Sequence, residues 1–190
     1  KGMYEKIEKG EVAAELSFSI STSNAPDLVR AADVLKSSWE KLGAKVEVRV
    51  FEISDLNQNV IQARKYDALL FGEVVGRDPD PFAFWHSSQR NDPGLNIALY
   101  TSATVDKILE EARGLISKDE RAKKYAQFQI QIAEDAPSIF LYSPAFIYVI
   151  DDDLKGFDTQ NIATPAERFA NIYKWHFDTK YVWKILYKNN

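Results

Sequence analysis

Apolar and polar residues alternate along residues 16–22, with Leu16, Phe18 and Ile20 set against Ser17, Ser19 and Ser21. This is the period of a half-buried strand. Asn24-Ala25-Pro26-Asp27 breaks the alternation, and the spacing then changes. Leu28, Ala31, Ala32, Leu35, Trp39 and Leu42 recur every three to four residues, which predicts one face of a helix that Gly43 ends. Val46, Val48 and Val50 alternate with charged residues as a second strand, and Asp55 is placed to cap a short helix reaching Ala63. Residues 66–72, with the run Ala68-Leu69-Leu70-Phe71, predict a fully buried strand.

Strand, helix, strand, helix, strand is the rhythm of a sheet with helices on its faces. Ligand sites in such sheets lie beyond the carboxyl ends of the strands. The third strand ends at Gly72, so the segment that follows, Glu73 to Pro81, is where a site is expected. Beyond it the pattern is helical. Residues 81–88 form a short aromatic-rich piece. Residues 104–115 carry Val105, Ile108, Leu109 and Ala112 on one face, and residues 118–134 carry Ala122, Tyr125, Phe128, Ile132 and Ala133. Ser117 followed by Glu120 has the form of a capping box, and Pro137 stops the last helix. Residues 139–142 and 146–150 predict strand pieces, Asp151-Asp152-Asp153 a solvated turn, and residues 166–175 a final helix.

Composition narrows the class. The 190 residues are 45% hydrophobic and 27% charged, enough for one good-sized α/β domain with a real core. The net charge is −4 and the basic residues are scattered, so nucleic acid is not an expected partner. There is no cysteine, which excludes disulfides, thiolate metal sites and cysteine nucleophiles. The longest apolar stretch, residues 139–150, is interrupted by Ser143 and Pro144 and falls short of the roughly 20 residues of a membrane-spanning helix. No signal peptide opens the chain and Lys1 is not an initiator methionine, so the sequence is expected to be a fragment of a longer protein.

Candidate chemistry is sparse. His86 and His176 are the only histidines and are too far apart for a helix-spaced metal pair, so no metal and no cofactor is expected. Asp78 and Asp80 stand beside prolines, which is turn chemistry with an aspartate capping the following short helix. Phe84 and Trp85 are either cleft-lining rings or core. No glycine-flanked serine, phosphate-binding glycine loop or nucleophile-base pattern occurs, and an enzyme is not expected.

Several stretches in order carry a resemblance. Lys41-Leu42-Gly43-Ala44-Lys45-Val46, Lys65-Tyr66-Asp67-Ala68 and Asp78-Pro79-Asp80-Pro81-Phe82 are followed by Asn96 with Tyr100 and then by Val105-Asp106-Lys107-Ile108-Leu109-Glu110-Glu111-Ala112. Arg121 with Tyr125, the run Ile132-Ala133-Glu134-Asp135-Ala136-Pro137-Ser138-Ile139-Phe140-Leu141-Tyr142, and Leu154-Lys155-Gly156-Phe157 complete the set. Together these resemble the second lobe of the family 5 extracellular solute-binding proteins of ABC importers, the peptide, oligopeptide and nickel binders. Order and spacing carry the likeness, since no single piece is specific.

The resemblance implies an α/β lobe of the periplasmic-binding-protein type (type II), a mixed sheet flanked by helices. Residues 1–164 would be the ligand-binding lobe and residues 165–190 the segment that returns to the missing N-terminal lobe. It implies a substrate-binding component of an importer, outside the cytoplasm, either free or lipid-anchored in full length. Its partners would be a peptide or small polar solute enclosed between lobes by hinge closure, and the membrane permease subunits. The ligand-binding residues implied are Glu73, Val74, Val75, Gly76, Arg77, Asp78, Phe84 and Trp85. In peptide-binding members an acidic residue three positions before the Asp-Pro-Asp motif holds the peptide ammonium; that position is Val75 here, and Glu73 stands where a tryptophan is usual. A signalling or scaffold module that kept the fold but lost peptide capture is the alternative.

Overall fold

The computed structural model describes residues 15–75, 80–158, 162 and 164–178 in full, and residues 5–8 and 11–14 by their backbone. The chain forms two compact units, residues 1–73 with 80–138, and residues 74–79 with 139–190.

The first unit opens with an antiparallel pair, β1 (Glu5–Glu8) and β2 (Glu11–Glu15). The alternating serines and apolar residues then become β3 (Ser17–Ser23), which runs in the middle of a three-stranded parallel sheet. Helix α1 (Pro26–Lys41) begins with proline, whose missing N–H costs nothing in a first turn, and gives way to Gly43 at φ 97°, a left-handed backbone that glycine adopts without strain. Strand β4 (Lys45–Phe51) pairs with β3 in parallel along its whole length, from Ser17 opposite Lys45 to Ser23 opposite Phe51. Ile20, Ala32, Ala44, Val46 and Leu70 are buried together, with Leu28, Ala31, Leu35 and Trp39 of α1 packed on them. The helical face and the strand face read from the periodicity thus meet in one core.

The next turn begins earlier than expected. Helix α2 (Ile53–Asp55) is preceded by Glu52, so Asp55 lies inside it and accepts from Asn59 Nδ2 at 2.6 Å instead of capping. It continues as a π-helical turn, Leu56–Ile61, in which Leu56 and Val60 are buried. Strand β5 (Ala68–Leu70) pairs with β3 on the side away from β4 and is shorter than residues 66–72. Of its residues only Leu70 is buried, because β5 has a single strand neighbour in this sheet.

A second core lies in the same unit. Helix α3 (Phe82–Trp85) leads by a 3-10 turn to α4 (Ala103–Arg113) and α5 (Lys118–Asp135), which pack as a hairpin. Ser102 and Ser117 cap the two long helices, each Oγ accepting at 3.4 Å from the N–H three residues on. Helix α5 ends at Ala136 in a left-handed conformation, just before Pro137. Trp85, Val105, Leu109, Phe128 and Ile132 form this core.

One side chain organises the approach to it. Asn96 is completely buried; its Nδ2 donates to the carbonyls of His86 at 3.1 Å and Tyr100 at 3.0 Å, and its Oδ1 accepts from Tyr100 N at 3.1 Å. Two residues earlier, Gly94 approaches so closely that a Cβ there would stand 2.2 Å from the Gln89 carbonyl oxygen. Arg64 and Tyr66 tie this loop to the sheet. Arg64 donates to the carbonyls of Ile61, Arg90 and Gly94 at 2.7, 2.9 and 2.6 Å, and Tyr66 Oη to that of Ile97 at 2.5 Å.

In the second unit, residues 139–142 and 146–150 are not in strands. A strand exists only through a partner, and among the described residues none pairs with them; Ile147 and Val149 are 85% and 88% exposed. The solvated turn at Asp151 to Asp153 is present, with Asp151 Oδ1 accepting from Asp153 N at 2.9 Å. After it β6 (Leu154–Lys155) pairs antiparallel with β7 (His176–Phe177). The helix expected over residues 166–175 is replaced by two 3-10 turns, Pro165–Phe169 and Ile172–Lys174. Asn171, between them, leaves the helical region and donates its Nδ2 to the Asp158 carbonyl at 2.9 Å. Trp175 packs on Phe157 and Phe169, with ring centroids 5.4 and 5.8 Å away.

Replacing Asn96 with leucine keeps the volume but strands the Tyr100 N–H and carbonyl, and leaves the His86 carbonyl only its bond from Gln89 N; it should destabilise the chain by about 2–4 kcal/mol. Urea unfolding of Asn96→Leu measures this. A loss under about 0.5 kcal/mol, the usual scatter of surface substitutions, would show that Asn96 does not organise the loop.

Candidate functional site

All three strands of the main sheet run in one direction, so their carboxyl ends share one edge. The strand order β4-β3-β5 sets a special place on that edge. The chain leaves β3 toward α1 and β4, then crosses back over β3 to reach β5; right-handed crossovers put the two connections on opposite faces of the sheet. Between β3 and β5 the chain therefore departs in opposite directions, which opens a crevice beyond the strand ends.

The residues at this crevice are held from both sides. Thr22 Oγ1 donates to the Leu70 carbonyl at 2.9 Å, fastening β3 to β5 one step below the edge. Asn24 N donates to the Phe51 carbonyl at 2.9 Å, and Asn24 Nδ2 to Glu52 Oε1 at 2.7 Å, fastening β3 to the end of β4. Ala25 N reaches Ser23 Oγ at 3.4 Å just before α1, whose amino terminus begins at the same edge. Past β5 the chain continues through Phe71 and Gly72 to Glu73. A Cβ built on Gly72 would meet nothing within 4 Å, so this side is open.

Glu73 is electrostatically distinct. Burial pushes its carboxyl up from 4.5 to about 7, and no charged neighbour contributes. Its side chain still reaches solvent. The shift therefore records protein atoms crowded around the carboxyl, not full enclosure. Near neutral pH such a group can be a carboxylate acceptor or a neutral donor.

The expected site residues fall in different places. Glu73 follows the end of β5 by three residues. Val74 and Val75 follow it with 73% and 46% of their surface exposed. Gly76, Arg77 and Asp78 lie outside the described residues. Phe84 is half-buried against the second core, and Trp85 is inside it, 6.3 Å from the Tyr100 ring and 6.2 Å from Phe128, both edge-to-face. Asp80 has the turn role expected of it: Oδ1 accepts from Phe82 N at 3.1 Å, and Oδ2 accepts from Arg113 Nε at 2.8 Å. His86 is a satisfied histidine. It stacks on Phe82, its Nδ1 accepts from Ser88 N at 3.1 Å, and its Nε2 faces Glu110 Oε1 at 3.3 Å. Among the described residues no three His, Asp or Glu side chains stand together as a metal site.

Two features were not anticipated from sequence. The Asn24–Glu52 pair joins residues 28 apart, and its only signal is an asparagine that breaks the alternation after a strand. A polar cavity of about 400 Å³ lies at the other end of the strands, lined by Ser17, Ser19, Lys45, Glu47, Arg49 and Asp67 among others. Its acids and Arg49 are partnered from within. Ser19 donates to Asp67 Oδ2 from N and Oγ at 2.9 and 2.8 Å and lowers that carboxyl's pKa, while Arg49 pairs with Glu47 at 2.7 Å, lowering the Glu47 pKa and raising its own.

Comparison with known proteins agrees with this geometry. The oligopeptide-binding protein AppA of Bacillus subtilis is 30% identical over 164 residues, which is 85% of this chain and 29% of that protein. The probable D,D-dipeptide-binding periplasmic protein DdpA of Escherichia coli is 24% identical over 160 residues, 83% of this chain and 30% of that protein. Among solved structures, AppA in complex with a nonapeptide matches 94% of this chain and 35% of its own, with 26% identity and a TM-score of 0.71. NikZ from Campylobacter jejuni in complex with Ni(L-His) matches 92% of this chain and 36% of its own, with 27% identity and a TM-score of 0.64. No family model matches the chain. The chain thus spans about a third of the length of these proteins. With homologous sequence along 85% of its length and a matching fold over 94% of it, the chain belongs to the family 5 extracellular solute-binding proteins, as a partial lobe of the periplasmic-binding-protein fold.

Proposed function

We propose that the chain is the second, ligand-holding lobe of the substrate-binding component of an ABC importer, and that its ligand is an oligopeptide or a related small polar solute. The observation that carries this reading is the match of nearly the whole chain, at a TM-score of 0.71, to a protein solved around a nonapeptide. The strand-end crevice supports it independently, since open α/β sheets bind ligands there. The contacting segment is Glu73 to Trp85, with Val74, Val75, Gly76, Arg77, Asp78 and Phe84 in or beside the loop. Residues 165–190 are the part that returns toward the first lobe. The full-length protein works outside the cytoplasm, tethered by a lipid or free, and delivers its ligand to membrane permease subunits. Among the described residues no helix is long and apolar enough to cross a membrane.

Within this reading Glu73 takes over the cation-holding role. The position three before Asp-Pro-Asp is Val75, which cannot balance an ammonium, and Glu73 offers a carboxylate just past the strand. A desolvated carboxylate is the group a ligand cation needs, because burying an unpaired charge is costly for both partners.

Two outcomes follow. Peptide at a hundredfold excess over Kd should stabilise the full-length protein by about 2.7 kcal/mol, read as a rise in melting temperature, whereas this chain alone, with only its part of the cleft, should gain little. Equal stabilisation of chain and full-length protein would sink the two-lobed reading. The second concerns pH. Below about 4.5 folded and unfolded chains both carry the Glu73 proton; between there and about 7 only the folded chain keeps it. Unfolding then releases a proton, so the Glu73 contribution to stability falls as pH rises through this window and is flat above it. In thermal melts of the chain, Glu73→Gln should lack this fall, its advantage over wild type growing with pH up to about 7. Parallel curves for the two proteins would contradict it.

A further inference from the structure

Five arginines of the first unit hold oxygen atoms. Arg30, Arg49 and Arg113 pair with Asp27, Glu47 and Asp80, and Arg64 and Arg90 donate to backbone carbonyls. Arg168 in the second unit is set among rings instead. It lies in the turn Pro165–Phe169, and its guanidinium carbon is 4.5 Å from the ring centroid of Phe169, 5.1 Å from that of Tyr148 and 5.7 Å from that of Phe146. Ring faces attract the charge but accept no strong hydrogen bond. Arg168 Nε is buried without an acceptor, and no acid among the described residues pairs with the guanidinium. Trp175 Nε1, whose ring stands 5.8 Å from that of Phe169, is also buried and unpartnered. These are the two buried side-chain polar atoms without a partner among the described residues, and both side chains border the same phenyl ring.

A donor taken out of water and given no acceptor costs stability, so a folded protein brings an oxygen to such groups. One carboxylate has the charge that suits the guanidinium and two oxygens for the two donors. We propose that an aspartate or glutamate of the first lobe, outside this chain, seats on Arg168 and Trp175 and fastens the second unit to that lobe. The proposal rests on the two-lobed reading given above. The chain spans 29% of the length of AppA, so most of a full-length protein of this kind is available to supply the acid. The segments that hold Arg168 also turn apolar side chains to solvent. Ile147 and Val149 flank Tyr148 in sequence, Ile172 and Tyr173 lie between Phe169 and Trp175, and all four are exposed. An arginine among aromatic rings, with apolar residues to exclude water, is the composition of a protein interface centre. A free peptide carboxylate would satisfy the two donors and leave those apolar side chains in water, so the surface fits a folded partner better.

The test uses the full-length protein carrying Arg168→Lys, whose ammonium a water-soluble carbodiimide can join to a carboxylate in contact with it. Mass spectrometry of the digest identifies the acid. The expected result is a cross-link from position 168 to an aspartate or glutamate of the first lobe, lost when that acid is changed to its amide. A second measurement needs no variant. In the wild-type full-length protein, phenylglyoxal should reach Arg168 only when the interface opens, and label it slower by about tenfold or more than Arg30, whose side chain is exposed. A cross-link to a residue of this chain or to an added peptide, no cross-link at all, or labelling of Arg168 as fast as that of Arg30 overturns the proposal. Because the labelling is read on the wild-type protein, the outcome does not depend on Arg168→Lys folding. Stabilisation of the wild type by peptide is measured on the same preparation. Its absence overturns the ligand-binding reading, whereas a missing cross-link beside normal stabilisation overturns the contact between lobes alone.

Discussion

A strand in the middle of a parallel sheet is covered on both faces, and β3 is that strand here. Its apolar positions, Phe18 and Ile20, meet α1. Its other face carries serines, of which Ser19, Ser21 and Ser23 are also buried. Small polar side chains can be buried only with partners. Ser19 has Asp67, and the Ser23 oxygen accepts from the start of α1. Thr22, on the apolar-facing series, reaches the β5 backbone. Satisfying the central strand therefore draws both neighbours and the first helix into register, and the edge where the three strands stop together is a by-product of that arrangement.

How much of this could be read from the chain depends on whether the cause was local. The period-two and three-to-four patterns of residues 16–50 gave the correct elements, because a single burial direction imposed each pattern. Residues 139–150 misled for the opposite reason. Their apolar composition suits a strand, but strand formation belongs to pairs, and no partner stands beside them among the described residues. Residues 166–175 had helical spacing, yet the Asn171 side chain competes for backbone contacts and breaks the run into two tight turns. The place of Glu73 just past the third strand was legible because the apolar run of residues 68–71 marks that strand. That of Trp85 was not, since an aromatic residue in a short helix serves core and cleft equally well until its neighbours are known.

The motifs that carry the family likeness turn out to be joints. Asn96 and Tyr100 share the buried hydrogen bonds that shape the loop before α4, and Asp80 starts α3 and anchors Arg113. Gly156 sits at φ 76° where a Cβ would lie 2.0 Å from the Lys174 carbonyl oxygen, so only glycine lets the chain pass there. Residues fixed by such backbone constraints preserve a fold while saying little about cargo. Val75 and Glu73, after β5, depart from the family pattern, and among the described residues neither takes part in such a joint.

Arg64 has a left-handed backbone, φ 52°, an unfavourable choice for a residue with a side chain, and offsets it with three bonds to carbonyls on two separate pieces of chain. Together with Tyr66 it rivets the sheet to the loop that feeds the helical hairpin. The first unit is thereby fastened across the seam between its two hydrophobic cores. Three hydrogen bonds from two side chains cross that seam, so a displacement of the segment leading into β5 pulls directly on the loop before α4.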